Sequence, residues 1–346
     1  MRRPIASPLL QVTASVALAA LGGCGQGHPS QGVRTRAEAR TALIYEANLH
    51  QGPETLRAFL SDFPKGADLH VHLSGAVYAE TFIRDAGEDG LCVDKTSLSF
   101  AKPPCRGKDV IPAKELSGNL SAADQALYDK LIDSFSLRSF VATPGWSGHD
   151  QFFATFGHFD GTSKTHEAEW IDEVASRAAE QNNQYLELME TPPFSNARKI
   201  AGEIGWNARL AQAGPQAFAV FRQQLLDHGL RDEVTADRNE VLQAETGRKQ
   251  MEHCGTSQPA PACQVELRYI YQVLRANTPE QVFAQTLLGF ETVQASMNAK
   301  DDTWVGINFV AARGWLHCHA RLHAADEDGW LLAFRLPRRS HLAARW

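Results

Sequence analysis

Two histidines separated by one residue, His70 and His72, are the residues of this chain best suited to chemistry. They lie in a short apolar run, residues 69–73. In a β-strand, side chains two positions apart project to the same side, about 6 to 7 Å apart along the strand. Both imidazoles can therefore reach one metal ion. Histidines also occur in ordinary strands, so the pair alone does not distinguish a metal site from two core or surface residues.

The residues around the pair predict a strand that is covered on one face. Leu69, Val71 and Leu73 would face away from the histidines and into packing, as in a strand covered by helices. Gly66 before the run and the Ser-Gly dipeptide at 74–75 after it supply the breaks. We therefore expect both imidazoles at the end of a strand, on the face opposite its packed side.

The wider segment resembles the first barrel strand of the adenosine deaminase family. That strand reads Pro-Lys, two or three residues, then Leu-His-x-His-Leu-x-Gly, and the matching residues here run from Pro64 to Gly75. In that family the strand opens a (β/α)8 barrel, and its two histidines bind a catalytic zinc at the carboxyl-terminal mouth. The resemblance thus implies that His70 and His72 are zinc ligands.

The same resemblance implies a reaction, the hydrolytic deamination of adenosine or a related purine nucleoside to inosine and ammonia. Zinc would activate the water that attacks C6 of the purine. Its ligands would be histidines and a carboxylate, unlike the His/Cys set of cytidine-type deaminases. Ser74 and Gly75 would lie at the substrate. The better-known members carry Asp at the position of Ser74, where it contacts the ribose, so the exact nucleoside stays open.

Four phenylalanines follow at near-helical spacing: Phe152, Phe153, Phe156 and Phe159. Spacing alone favours a stripe of core residues. The resemblance adds a second interpretation, because deaminases of this family place a Phe-rich helix over the pocket as an apolar lid. Phe152 and Phe156 are the candidates for such a lid.

Composition limits the possible partners. The chain has 346 residues, 43% hydrophobic and 21% charged, which is typical of a globular protein. Its formal net charge is -6 and its pI is about 6.1, so it lacks the basic surface of proteins that bind a nucleic-acid polymer. A free nucleoside is a compatible partner.

The amino terminus has the features of an export signal over residues 1–23, with Arg2 and Arg3 before a small and apolar stretch. Residues 21–24 read Leu-Gly-Gly-Cys, as in a bacterial lipoprotein box, where Cys24 becomes the lipid-modified terminus. The alternative is a plain secretory peptide with an incidental cysteine. The apolar stretch is too short to span a membrane stably, so a lipid anchor would be the sole membrane contact. Residues 24–40 then form a flexible tether, and the protein would be periplasmic, at the cell surface or secreted.

Export also bears on the other cysteines. Cys92 and Cys105 lie in one loop-rich region, and Cys254 and Cys263 bracket a turn rich in Gly, Ser and Pro. In an oxidising compartment such neighbours most simply form two local disulfides, although sequence does not fix the pairing. Their wide spacing argues against a structural zinc site.

The order of the elements favours an α/β fold. Strands are predicted at 184–189, 265–271 and 304–310 in addition to the first, and helical segments at 37–63, 78–86, 122–135, 167–179, 217–226 and 278–297. Alternation of helix and strand favours a parallel sheet over a sandwich. Four such strands correspond to the amino-terminal half of a (β/α)8 barrel, over residues 41–311.

The tail, residues 312–346, breaks this pattern, since no helical or strand period continues in it. Relatives continue after the fourth strand with a segment like Pro-Glu-Asp-Gly and a helix containing Arg-Asp-Tyr. Possible codons for this tail, read one nucleotide out of frame, can encode that family sequence. Our hypothesis is therefore a frameshift near codon 312. The family's catalytic Glu, His and Asp residues and its remaining zinc ligands have no match here, so no general acid or base is assigned.

Two other functions stay open on the sequence. One is another barrel amidohydrolase, acting on a cyclic amide or a phosphotriester. The Pro-Lys before the first strand and the Phe cluster favour the deaminase over it. The other is a non-catalytic exported lipoprotein. Because two histidines alone hold zinc weakly, activity of this chain is expected to be impaired.

Overall fold

A computed structural model describes residues 35–118, 120–205 and 215–310. The chain divides into two compact units, Met1–Ser61 and Asp62–Trp346.

In the first unit, α1 (Arg36–Gln51) and α2 (Pro53–Ser61) are separated at Gly52, whose φ is +113°. The side chain of Thr35 accepts a hydrogen bond from the Glu38 amide, and the Glu38 carboxylate accepts one from the Thr35 amide. This capping box starts α1 at Arg36, next to the start of the helical segment predicted at 37–63.

The second unit alternates strands and helices. Its strands are β1 (Gly66–His72), β2 (Cys92–Asp94), β3 (Ser99–Ala101), β4 (Val110–Pro112), β5 (Asn183–Glu190), β6 (Glu266–Leu274) and β7 (Trp304–Val310). Its α-helices are α3 (Leu73–Ala76), α4 (Ala79–Glu88), α5 (Ala122–Phe135), α6 (Gly148–His158), α7 (Glu167–Glu180), α8 (Ser195–Ile204), α9 (Pro215–Leu225), α10 (Arg231–Met251) and α11 (Pro279–Ala299).

The principal sheet has four parallel strands in the order β1-β5-β6-β7. Each crossover therefore leads to the adjacent strand, as in the first half of a (β/α)8 barrel. The α/β half-barrel expected from the sequence is confirmed. Parallel strands bring their carboxyl ends to one edge of the sheet, where His72, Glu190, Leu274 and Val310 end the four strands.

The two faces of this sheet differ in burial. Along β6, every second residue is buried, and the residues between them are half-buried or exposed. The buried residues are Leu267, Tyr269, Tyr271 and Val273. Helices cover the buried, outer face. α11 approaches it so closely that a Cβ on Gly289 would lie 2.9 Å from Cδ1 of Tyr271. We call the opposite, less covered face the inner face.

The first strand departs from its expected packing. Leu73 is buried and Val71 packs against the core, but Leu69 is 52% exposed, so the prediction that it faces into packing was wrong. The register of β1 against β5 shifts between Asp68 and Val71, and the Asp68 carboxylate accepts a hydrogen bond from the His70 amide at 3.1 Å. This irregularity interrupts the simple alternation of side chains. Leu73 also lies in α3 and not in the strand.

The region after α4 forms a small antiparallel sheet in the order β3-β2-β4 that the sequence did not predict. A disulfide joins Cys92 to Cys105 across its loop, with Cα atoms 5.4 Å apart. A second disulfide joins Cys254 to Cys263, with Cα atoms 5.6 Å apart. Each pair closes a short local loop.

Several predicted segments lie outside the described residues: the export signal at 1–23, Cys24, the tether as far as residue 34, and the tail at 312–346. Within the described ranges, no helix combines the length and apolar character needed to cross a membrane.

Candidate functional site

The histidine pair lies at the carboxyl end of β1. The ring centroids of His70 and His72 are 5.3 Å apart, with the ring planes at 79°. His70 is exposed and His72 is half-buried. Two imidazoles this close, on one end of a strand, can share a single ion. The structure therefore brings these two predicted ligands together.

A third side chain, which the sequence did not single out, contacts this histidine pair. Gln272 of β6 reaches across β5, and its Oε1 lies 2.6 Å from Nδ1 of His72. The amide nitrogen of Gln272 donates to the hydroxyl of Thr191, just after β5, at 2.8 Å. The sequence offered a signal for Gln272 and Thr191, because polar residues at the carboxyl ends of parallel strands meet at one edge of the sheet. The contact itself depends on the register of three strands.

The surroundings of His72 favour its neutral form. Burial lowers its pKa, and the nearby His70 lowers it further, whereas the hydrogen bond with Gln272 acts in the opposite direction. The net shift is downward from 6.5. Neutral imidazole is the form that binds a metal, because it retains a lone pair on one ring nitrogen.

Aromatic side chains from α6 form a wall beside His72. The ring centroids of Phe152 and Phe156 lie 6.3 and 6.4 Å from that of His72. A Cβ on Gly75 would lie 3.2 Å from Cζ of Phe156, so the small residue at 75 makes room for that ring. Phe159, by contrast, is buried and stacks on Phe82 at 4.4 Å. The Phe stripe thus serves both the core and the wall beside His72.

A cavity of about 320 Å³ adjoins this wall. Ser74, Gly75 and Phe152, three of the residues predicted at the substrate, line it, together with Arg138 and Arg177. Phe156, His70 and His72 are not among its lining residues. The structure thus gathers the predicted substrate residues next to the histidine pair, with Phe152 bordering both.

The donor set fits zinc in chemistry and falls short in number. Imidazole nitrogen is a common zinc ligand, and catalytic zinc takes three protein ligands. Among the described residues, the groups of three potential ligands are Asp85 with His166 and Glu169, and Glu252 with Cys254 and Cys263, and neither contains His70 or His72.

Neither of those groups offers a free set of ligands. Cys254 and Cys263 form a disulfide. Asp85 accepts hydrogen bonds from Arg84 and from the indole of Trp170 at 2.7 Å. Of the described residues, His70 and His72 are therefore the pair that we consider for a metal.

No family model matches the chain, and no curated protein matches it. Similar solved structures include an amidohydrolase from Burkholderia ambifaria with bound zinc, at 16% identity over 81% of this chain and 50% of that one, with a TM-score of 0.37.

Two further solved structures are similar to about the same degree. The N6-methyl-AMP deaminase of Arabidopsis thaliana matches at 16% identity over 79% of this chain and 57% of that one, with a TM-score of 0.34. The adenine deaminase of Arthrobacter aurescens matches at 14% identity over 76% and 55%, with a TM-score of 0.33. The chain spans about half the length of these proteins.

Proposed function

We propose that this chain is part of a zinc-dependent hydrolase that deaminates adenosine or a related purine nucleoside to inosine and ammonia. The observation that carries the proposal is the pair of His70 and His72 rings, 5.3 Å apart at the carboxyl end of the first of four parallel strands. The segment from Pro64 to Gly75 that holds them resembles the first strand of the adenosine deaminase family.

His70 and His72 would hold the zinc ion through their ring nitrogens. When bound, zinc is a Lewis acid that lowers the pKa of a water molecule toward neutrality. The contribution of the chain is to keep His72 neutral, by partial burial, and to hold its ring against Gln272. With two histidine ligands we expect weak zinc binding and low activity.

The cavity beside the pair suits a small and largely apolar ring system. Its volume of about 320 Å³ is within the range of small-molecule sites, and Phe152 offers an aromatic face on which a purine could pack. Ser74 supplies a hydroxyl for the polar part of the substrate. Phe156, next to His72, would exclude water from the reacting end.

The disulfides support the exported location. Two cysteine pairs, Cys92–Cys105 and Cys254–Cys263, are joined in the structure, and disulfides persist in oxidising compartments. We propose a periplasmic or cell-surface protein, anchored through a lipid on Cys24.

Two measurements on the full chain test the proposal. The first is calorimetric titration of the metal-free protein with zinc, and the second is the absorbance change as adenosine is converted to inosine, with and without zinc. We expect detectable zinc binding that the H70A/H72A double variant loses. His50→Ala, at an exposed histidine in α1, is the control and should bind zinc as the unmodified chain does.

The outcomes separate the alternatives. Conversion of adenosine that requires zinc and both histidines would support the deaminase. Zinc binding with turnover of a cyclic amide or phosphotriester, and none of adenosine, would identify a different amidohydrolase. Absence of zinc binding would refute the proposed metal site and leave a non-catalytic lipoprotein.

A further inference from the structure

We infer that Gln272 is the positioning residue for the pair of His70 and His72. Its carboxamide oxygen keeps the proton of His72 on Nδ1 and leaves the lone pair on Nε2 for a metal. The inference rests on the proposed metal site for its purpose. The protonation pattern itself is a property of the metal-free chain and can be tested separately.

The geometry of the contact carries the first step. Oε1 of Gln272 and Nδ1 of His72 are 2.6 Å apart, which is a short hydrogen bond. A carboxamide oxygen can only accept, so the imidazole must donate through Nδ1. In a neutral ring only one nitrogen carries a proton, and Nε2 is then the nitrogen with a lone pair.

The carboxamide of Gln272 also has a partner at its other end. Nε2 of Gln272 lies 2.8 Å from Oγ1 of Thr191 and donates to it. One planar group thus bridges Thr191, after β5, and His72, at the end of β1. Rotation of this group by about 180° would reverse both contacts, because the Thr191 hydroxyl can donate as well as accept, and it would place the proton of His72 on Nε2. The tautomer of His72 therefore distinguishes the two arrangements.

The backbone that carries Gln272 is also held in place. Gln285 of α11, which is fully buried, donates from its side-chain nitrogen to the carbonyl of Gln272 at 3.3 Å. Its side-chain oxygen accepts from the amide of Leu274 at 2.8 Å. This clamp on the end of β6 fixes the point from which the Gln272 side chain extends.

The ring of His72 has little freedom to turn away from this partner. Phe152 and Phe156 lie edge-on beside it, with ring centroids at 6.3 and 6.4 Å. A hydrogen bond on one ring nitrogen and aromatic walls beside the ring are the arrangement by which proteins orient a histidine ligand before the metal arrives.

The first test is the tautomer of His72 in the metal-free full chain. Nitrogen-15 chemical shifts of the imidazole distinguish a protonated nitrogen from one with a lone pair, and His72→Gln identifies the resonances. We expect the proton on Nδ1 in the unmodified chain and a mixture of tautomers in Gln272→Met. A proton on Nε2 in the unmodified chain, or the same tautomer in Gln272→Met, would overturn the inference.

The second test is zinc affinity by calorimetry. Loss of a partner that orients a metal ligand typically lowers affinity about 10- to 100-fold, and we expect that loss in Gln272→Met. Gln272→Glu keeps an acceptor and should restore most of the affinity, while Thr191→Val should cause a smaller loss. The matched control is Gln125→Met, at an exposed glutamine of α5, which should leave affinity unchanged.

The two tests separate the possible failures. If the unmodified chain binds no zinc, the proposed function fails, while the tautomer still decides the role of Gln272. If Gln272→Met does not fold, Thr191→Val replaces it, with the smaller loss of affinity as the expected result. Equal zinc affinity in a folded Gln272→Met variant and in the unmodified chain would contradict the positioning role.

Discussion

The two faces of strands β5 and β6 carry opposite kinds of chemistry. On the inner face, the histidine site (His70, His72, Thr191 and Gln272) is built from imidazole, hydroxyl and carboxamide groups and is partly open to solvent. On the outer face, under α7 and α10, lies a group of charged side chains that we call the carboxylate cluster: Lys164, Glu167, Glu190, Asp237 and Glu240.

Neighbouring residues supply the two faces. Glu190 forms an ion pair with Lys164 on the outer side, and the next residue, Thr191, contacts Gln272 on the inner side. In β6, the hydroxyl of Tyr271 donates to Asp237 at 3.0 Å, and Gln272 holds His72. The alternation of side chains along a strand thus separates the partly exposed histidine site from the buried carboxylate cluster.

Burial changes the protonation of the carboxylate cluster. Burial, and then the negative charge of Glu190, raises the pKa of Glu167 to about 8. Burial also raises the pKa of Asp237 to about 8, against the hydrogen bond from Tyr271. The negative charge of Glu240 raises the pKa of Glu167 further. Near neutral pH the cluster therefore retains protons that free carboxyl groups would lose.

The largest expected effect is a dependence of stability on pH that originates in the carboxylate cluster. Between about pH 4.5 and 8, Glu167 is protonated in the folded chain and ionised in the unfolded one. The folded state binds more protons, so the free energy of unfolding should fall as the pH rises through this window, by several kcal/mol. Urea unfolding from pH 5 to 9 measures it.

Glu167→Gln isolates this contribution. The glutamine side chain does not ionise, so the stability of the variant should vary less with pH and should exceed that of the unmodified chain at pH 8. Identical slopes for the variant and the unmodified chain would show that the cluster does not control the dependence.

The next effect tests the charge balance of the same cluster. Lys164→Met removes the cation that pairs with Glu190 and leaves buried carboxylates uncompensated. We expect a loss of about 3 kcal/mol, toward the lower end for a broken buried pair because the Lys164 side chain is 38% exposed. Denaturant unfolding at pH 7 measures the loss.

Lys199→Met is the matched control for that substitution. Lys199 pairs with Glu203 on the surface of α8, and both side chains are exposed. Its loss should be no more than about 0.5 kcal/mol. Similar losses for the two variants would mean that the carboxylate cluster does not need its lysine.

Adjacent residues of β6 give the sharpest comparison of the two faces. Tyr271→Phe leaves the buried Asp237 without its donor and should cost about 2 kcal/mol of stability, with zinc affinity unchanged. Gln272→Met should cost only about 1 kcal/mol, because water reaches the inner face, while zinc affinity falls at least about 10-fold. Equal effects of both variants on zinc affinity would remove the distinction between the faces.

The smallest effect concerns the aromatic wall. Gly75→Ala adds a methyl group 3.2 Å from the Phe156 ring, whereas the same change at Gly157 in α6 meets nothing within 4 Å. Alanine in an exposed helix should stabilise Gly157→Ala by about 0.5 to 1 kcal/mol. Crowding against Phe156 should offset that gain in Gly75→Ala, and thermal unfolding of both variants measures the difference. A Gly75→Ala variant as stable as Gly157→Ala would show that the wall yields freely.

Much of the fold could be predicted because its signals are local. Short apolar runs marked the strands that became β5, β6 and β7, and helical spacing marked α5, α7 and α11. The three strands of the small antiparallel sheet, three residues each, were too short to show a period. Leu69 was misplaced because a shift in register against β5 is a property of two strands and not of one.

The histidine site could be predicted in part for the same reason. His70 and His72 are two residues apart, and the motif around them is continuous in the chain. Gln272 directly follows the strand predicted at 265–271, but its contact with His72, 200 residues away, depends on how three strands pair. The carboxylate cluster escaped notice too, since a lysine and acidic residues in polar segments resemble ordinary surface residues until packing buries them.

The sequence by itself determined the order of helices and strands, the histidine pair and the cysteines close enough to join, because each depends on residues near one another in the chain. Only the tertiary structure decided which side chain holds His72 and which carboxyl groups keep their protons. Hydrogen bonding and desolvation depend on distances through space, and these are set when the strands pair and the helices cover one of their faces.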